Sequence, residues 1–315
     1  MGPLRFGPPA PPPLSPAPLS HVARDGGKGN FSRWILGARP KTLGAAISPV
    51  LVGTAAASRY GPTVWWRAVV ALVVSLALQV GVNFANDYSD GVKGVDVGRK
   101  GPVRLTASGL ASPRAVKSAA FVAFAVAGLS GLALAVAVDL RLLLVGVVAI
   151  GAAALYSGGP RPYASAGLGE VSVLVFFGFV ATCGSAYVQI HRVPWLAVAG
   201  SLAVGLLACA ILVVNNLRDV DTDADVGKRT LAVRIGAPRA RLLFTGCVVG
   251  ALVSAVVMAV VAPGALLVVA TVPLAVGPLR TVARRREAPA LVGALIATAR
   301  LQLVLSVLLA VGLWL

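Results

Sequence analysis

Two short stretches hold most of the acid in this chain. NFANDYSDGVKGVD runs from Asn83 to Asp96 and NNLRDVDTDAD from Asn215 to Asp225, and together they carry seven of the nine aspartates in a sequence with 28 Lys and Arg but only 11 Asp and Glu. On a helix Asn83, Asp87 and Asp90 recur at i, i+4 and i+7, and Asn216, Asp219 and Asp223 at i, i+3 and i+7, so each trio shares a face. Asp221 and Asp225 lie off the second face. Like charges held that close need a cation, and oxygen ligands without His or Cys select a hard one such as Mg²⁺. Asp87, Asp90, Asp96, Asp219 and Asp223 are the candidate ligands.

Mg²⁺ keeps several waters and is commonly shared between one or two carboxylates and phosphate oxygens. The expected ligand is therefore phosphorylated. Lys93, Arg99, Lys100 and Arg104 follow the first stretch and Lys228 and Arg229 the second, placed to bind the oxygens of a diphosphate and stabilise it as it leaves. Asn83, Asn86, Asn215 and Asn216 are candidate substrate contacts beside them. Aspartates also cap helices and balance basic loops, and for a single residue that account would suffice. Two Asn-led clusters at helical spacing favour a shared site.

The elements that must position these stretches are apolar. Hydrophobic residues make up 57% of the chain and charged ones 12%, with mean hydropathy +0.86. That composition excludes a soluble domain of this length and predicts an all-α, polytopic membrane protein with a central cavity. Nine apolar segments are expected near 41–58, 64–86, 115–138, 142–156, 168–190, 194–216, 240–261, 264–280 and 289–315. Segments four and eight are short, and the eighth carries Pro273 and Pro278. Residues 1–32, rich in Pro and Gly, read as a disordered cytoplasmic tail, and residues 33–315 as one intramembrane domain.

The net charge of +17 does not indicate nucleic acid, because the basic residues cluster between apolar segments. Of the 28 Lys and Arg, only Arg59, Arg67, Arg141 and Arg192 fall on the opposite side, with Arg300 inside the last segment. Cytoplasmic connections hold the excess. The N-terminus and both acidic stretches are thus expected at the cytoplasmic side of the cell membrane. Arg300 and Gln302 lie within the last span, where an ionisable group usually faces the protein interior, so Arg300 is expected first in an interhelical contact and second in substrate binding. Cys183, Cys209 and Cys247 read as small buried residues.

The paired Asn/Asp stretches on nine expected spans resemble the UbiA-type intramembrane prenyltransferases. More narrowly, ARPKTLGAAISPV, NDYSDGVKGVD, GPVRLTASG, YSGGPRPYASAGLGE and NNLRDVDTDADVGKRTLAVRIG are similar to the 1,4-dihydroxy-2-naphthoate polyprenyltransferases of menaquinone synthesis. The resemblance covers roughly residues 33–315 and implies that the carboxylates bind Mg²⁺ and a polyprenyl diphosphate whose tail lies among the helices. By motif, Asn83, Asp87 and Asp90 match the family's first cluster and Asn216, Asp219 and Asp223 the second. Asp96 departs from the pattern, standing six residues after Asp90 where the superfamily steps by four.

The implied chemistry is ionisation of the allylic diphosphate, attack by the naphthoate ring, and loss of CO₂ to give demethylmenaquinone. Tyr156 is placed either to face the allylic cation or to anchor at the interface. Arg161 stands where it can bind the acceptor carboxylate or simply follow the topology, and Glu170 reads as a helix-start acid. Another aromatic acceptor, such as 4-hydroxybenzoate, is the nearest alternative. A CDP-alcohol phosphotransferase would gather its aspartates in one motif, and a divalent-cation transporter would carry them near the membrane midplane.

Overall fold

The computed structural model describes residues 28–94, 103–159 and 162–315, so Asp96, Arg99, Lys100 and Arg161 lie outside the described residues. Each expected apolar segment corresponds to a helix. The order is α1 (Lys28–Ala38), α2 (Gly44–Ser58), α3 (Trp65–Val92), α4 (Pro113–Ala137), α5 (Leu142–Ser157), α6 (Gly169–Ile190), α7 (Trp195–Arg218), the short α8 (Val220–Asp225), α9 (Leu231–Val257), α10 (Pro263–Arg284) and α11 (Ala288–Trp314). Among the described residues there is no strand. Seven of these helices are long and apolar enough to cross a membrane, while α2 and α5 are shorter.

Several boundaries differ from expectation. Helix α1 begins at Lys28, inside the stretch read as a disordered tail. Helix α3 runs on to Val92, which places Asp87 and Asp90 on regular helix. Helix α9 starts at Leu231 and breaks at Gly236, whose φ of 79° only glycine adopts without strain. The Pro-bearing α10 is wound tightly over Pro263–Thr271 and becomes a regular α-helix only from Val272.

Helix α7 is the hub, with 72% of its apolar window buried, and packs against α2, α6, α9 and α11. Helices in lipid associate through close packing of small residues rather than through water exclusion. Ala197, Gly200, Ala203, Gly205 and Ala208 supply such a surface on α7. At its crossing with α6, a Cβ on Gly178 would fall 2.9 Å from the Gly205 Cα, so a side chain there would force the helices apart. The α6 backbone widens to a π-type turn over Leu174–Val180 at this crossing, turning Phe176 and Phe177 towards an internal cavity.

A second group of helices, α3, α4 and α5, completes the cavity wall. Helix α4 is started by Ser112, whose hydroxyl accepts from the Ala115 N–H, with Pro113 at the first helical position. Helix α5 leans on α3 and α4 yet has no fully buried residue. The space these helices surround is about 1180 Å³.

Candidate active site

At the polar end of α3 the side chains fan out by helical geometry. Asn83 donates to the Ala38 carbonyl at 3.0 Å, Asn86 accepts a short hydrogen bond from the Ser157 hydroxyl, and Ser89 donates to the Ser157 carbonyl at 2.6 Å. Asn83, Asn86 and Asp90 line the cavity, whereas Asp87 does not. Both Asp87 oxygens are engaged instead by backbone N–H groups, Leu105 at 2.7 Å and Thr106 at 2.9 Å. This corrects the expectation that Asp87 shares the cavity face. At about 100° per residue it stands about 60° around the helix from Asp90, enough to turn it onto the returning chain. There Leu105 packs against Phe84.

Asp90 faces the cavity and meets two cations from different parts of the chain. Lys228 Nζ lies 3.1 Å from its Oδ1 and Arg104 Nη2 lies 3.6 Å from its Oδ2. The Arg104 side chain is 8% exposed, so this pair is screened little by solvent.

The second stretch occupies the bend between α7 and α8. Asn216 donates to Glu170 Oε1 at 2.9 Å, and the other Glu170 oxygen is buried without a hydrogen bond. Arg218 holds Asp219 in a two-pronged ion pair, Nε at 2.7 Å and Nη2 at 2.6 Å, and Nη2 also donates to Asn215 Oδ1 at 3.1 Å. The remaining Arg218 nitrogen, Nη1, is buried without a hydrogen-bond partner, and Arg218 lines the cavity. Asp219 and Asp223 stand on the same wall, while Asp221 and Asp225 are exposed and off it.

Tyr156 also reaches the cavity, edge-on to Tyr163 with ring centres 5.5 Å apart. The Tyr163 hydroxyl bonds the Ala152 carbonyl at 2.7 Å and Ser172 at 3.0 Å. Burial raises the Tyr163 phenol pKa.

Two expected diphosphate ligands stand elsewhere. Lys93 and Arg229 are exposed and not on the cavity wall, and the Arg229 N–H instead bonds the Ser165 carbonyl at 2.9 Å. Conversely, Arg218 was not singled out among the expected ligands, although NNLRD places it directly before Asp219. Arg39 and Lys41, just before the start of α2, line the wall too. The Gln302 amide points inward and donates to the Val204 carbonyl at 3.0 Å. Arg300, two residues earlier, is exposed on the opposite face of α11, which overturns its expected interhelical contact.

The cavity is thus two-ended. Asp90, Asp219 and Asp223 alternate with Arg104, Arg218 and Lys228 at one pole, and the remainder is walled by residues such as Leu78, Leu132, Ile150 and Phe177. Such a space receives a molecule with an anionic head and a long apolar body. Fold and site together define a polytopic helical membrane protein with an internal amphipathic substrate chamber. The model of the UbiA prenyltransferase family matches residues 46–294, and the chain belongs to that family.

Two relatives are named 1,4-dihydroxy-2-naphthoate octaprenyltransferase. The chain is 47% identical to the one from Mycobacterium tuberculosis over 261 residues, 82% of this chain and 89% of the relative. To the one from Mycobacterium leprae it is 45% identical over 260 residues, 82% of this chain and 88% of the relative. Among solved structures, a UbiA homolog from Archaeoglobus fulgidus bound to GPP and Mg²⁺ superposes with a TM-score of 0.63 at 16% identity, covering 89% of this chain and 99% of the other.

Proposed function

We propose that this protein transfers a polyprenyl group from its diphosphate to 1,4-dihydroxy-2-naphthoate, releasing diphosphate and CO₂ and giving demethylmenaquinone in its quinol form. The observation that carries the reading is the two-ended chamber in a chain 47% identical to a relative of that named activity. The donor C–O bond breaks, its electrons leave with the diphosphate, and the electron-rich ring forms the new C–C bond. Loss of the carboxyl group as CO₂ breaks the bond between the ring and the carboxyl carbon and returns that electron pair to the ring.

The donor set suits Mg²⁺. It is all oxygen, and among the described residues no three His, Cys, Asp or Glu side chains converge on one point. That favours an ion shared with substrate oxygens over a cage built by protein alone. Asp90, Asp219 and Asp223 are the residues that would hold it. Mg²⁺, when bound, neutralises diphosphate charge and so improves the leaving group. Asp87 holds the Leu105–Thr106 backbone, and so positions Arg104 beside Asp90.

Lys228, Arg104 and Arg218 bind the non-bridging diphosphate oxygens by charge-assisted hydrogen bonds. Arg218 Nη1 is a buried donor of the pole with no hydrogen-bond partner within the protein. The apolar walls keep water from the allylic cation, and the Tyr156 ring stands at the boundary between the pole and those walls. Residues 33–315 form the prenyltransferase domain and residues 1–32 a cytoplasmic tail. The helices make nine crossings of the cell membrane with the polar pole towards the cytoplasm, which the arginine and lysine distribution supports.

Purified protein supplied with polyprenyl diphosphate, Mg²⁺ and an acceptor panel tests the reading. Mass spectrometry is expected to find the prenylated, decarboxylated naphthoate product. A product from 4-hydroxybenzoate alone, or none, would overturn it.

A further inference from the structure

The outer face of α11 carries a charge that the chamber does not use. Arg300 is the thirteenth of the 27 residues of Ala288–Trp314, so it sits at the middle of a spanning helix, and it is exposed. Among the described residues no hydrogen bond or ion pair joins it to the protein. It borders a groove of about 280 Å³ between α10 and α11, walled by Leu274, Gly293, Ile296, Ala297 and Leu301. A Cβ built on Gly293 would meet nothing within 4 Å, so the groove is open at that turn.

An unpaired arginine facing hydrocarbon is costly, and a partner of opposite charge within its reach lowers that cost. Among the described residues a second copy of this chain offers none at that depth. Among the described acids, Asp87, Asp90, Asp219 and Glu170 are buried. Asp139 and Glu287 lie in connections between helices, and Asp221, Asp223 and Asp225 lie on the short α8. The counter-charge must therefore come from the surroundings of the helix, which are lipid.

We infer that the α10–α11 groove binds an anionic phospholipid, with its phosphate on Arg300 and an acyl chain along Leu274 and Ile296. Helical side chains lean towards the N-terminus of their helix, which directs Arg300 over the Gly293–Ala297 turn. A helix of 27 residues is roughly 40 Å long against a hydrocarbon core of about 30 Å. The leaning guanidinium thus comes within several ångströms of the headgroup layer. Arg280, Arg284, Arg285 and Arg286, all exposed at the same end of these two helices, add a cationic rim that favours anionic over zwitterionic headgroups.

Lipid retention by the purified full-length protein, measured by native mass spectrometry with phosphatidylglycerol or phosphatidylcholine, tests this. The wild type is expected to hold phosphatidylglycerol about tenfold more tightly than Arg300→Leu, the scale of one charge-assisted contact, with Arg300→Lys between them. Gly293→Leu, which fills the groove and keeps the charge, is expected to lose the lipid as well. Equal phosphatidylglycerol retention by wild type, Arg300→Leu and Gly293→Leu would overturn the inference. So would equal retention of both lipids by the wild type, or an Arg300-dependent dimer that forms without lipid.

Discussion

Lys228 reaches across the chamber to Asp90, 3.1 Å from Nζ to Oδ1, and so joins the end of the second acidic stretch to the first. The two stretches lie more than a hundred residues apart in sequence, and this pair is a direct bond between them. In the proposed reaction the lysine exchanges a carboxylate partner for a diphosphate oxygen.

Lys228→Gln is accordingly expected to weaken use of the polyprenyl diphosphate. The KM for the donor should rise about 10- to 100-fold, the scale of a charged hydrogen bond, while the KM for the aromatic acceptor stays within about twofold. Steady-state kinetics with each substrate varied in turn measures the split. A rise confined to the acceptor KM would contradict the assignment.

Asp87 and Asp90 are three residues apart and are expected to fail differently. Asp87→Ala strips the acceptor from two backbone N–H groups, at a cost of about 1–3 kcal/mol for each one left buried and unsatisfied. It should lower the melting temperature in detergent, with Asp87→Asn in between. Asp90→Asn leaves both of those N–H groups satisfied but takes the carboxylate from Arg104 and Lys228, so it should abolish most turnover, a loss out of proportion to its effect on the melting temperature. Thermal unfolding and product formation, measured on the same preparations, separate the two roles.

Arg218 and Asp219 form a buried pair, their side chains 2% and 5% exposed. Removing one partner of such a pair typically costs about 3–5 kcal/mol, because the other charge is left uncompensated. Arg218→Gln should therefore lose both stability and activity. The double variant Arg218→Gln, Asp219→Asn should regain much of the stability and none of the activity. Recovery of turnover in the double variant would remove both residues from the proposed chemistry.

On the opposite side from the acidic pole, the connection between α4 and α5 carries Asp139. The hydrogen bond from the Tyr187 hydroxyl, followed by those from Arg141, holds its carboxyl well below the usual carboxylate range. A depressed pKa in the fold stabilises it above the unfolded-state pKa, about 3.9, and that contribution fades as pH falls through the lower folded-state value. Melting temperatures of wild type and Asp139→Asn should differ at neutral pH and converge below about pH 4. A difference that grows on acidification would reverse the sign and refute it.

The helical plan was legible because apolar runs of spanning length state it outright, and α3 and α7 carry their acids where those runs end. Side-chain direction was less so. Asn83, Asn86, Asp90, Asn216, Asp219, Asp223, Lys228 and Tyr156 do line one cavity. Asp87 escaped the helical-face argument because its partners, Leu105 and Thr106, come from a returning segment that no local spacing reveals. Arg218 was hidden by company, one cation among the many that topology already explained. Arg300 and Gln302 are two residues apart, so on a helix they face nearly opposite ways, and a rule that turns intramembrane polar groups inward can hold for only one of them.

Helix α5 is fastened at its two ends and weakly between them. Ser157 ties its polar end to Asn86 and Ser89, and Tyr187 ties the connection before Leu142 through Asp139. Mechanically it is a beam held at both ends and braced at Ala152 by the Tyr163 hydroxyl, with no buried residue along its span to resist bending. A bulky hydrocarbon tail pressing on this wall is expected to bow the beam, while the supports keep the reacting end in register.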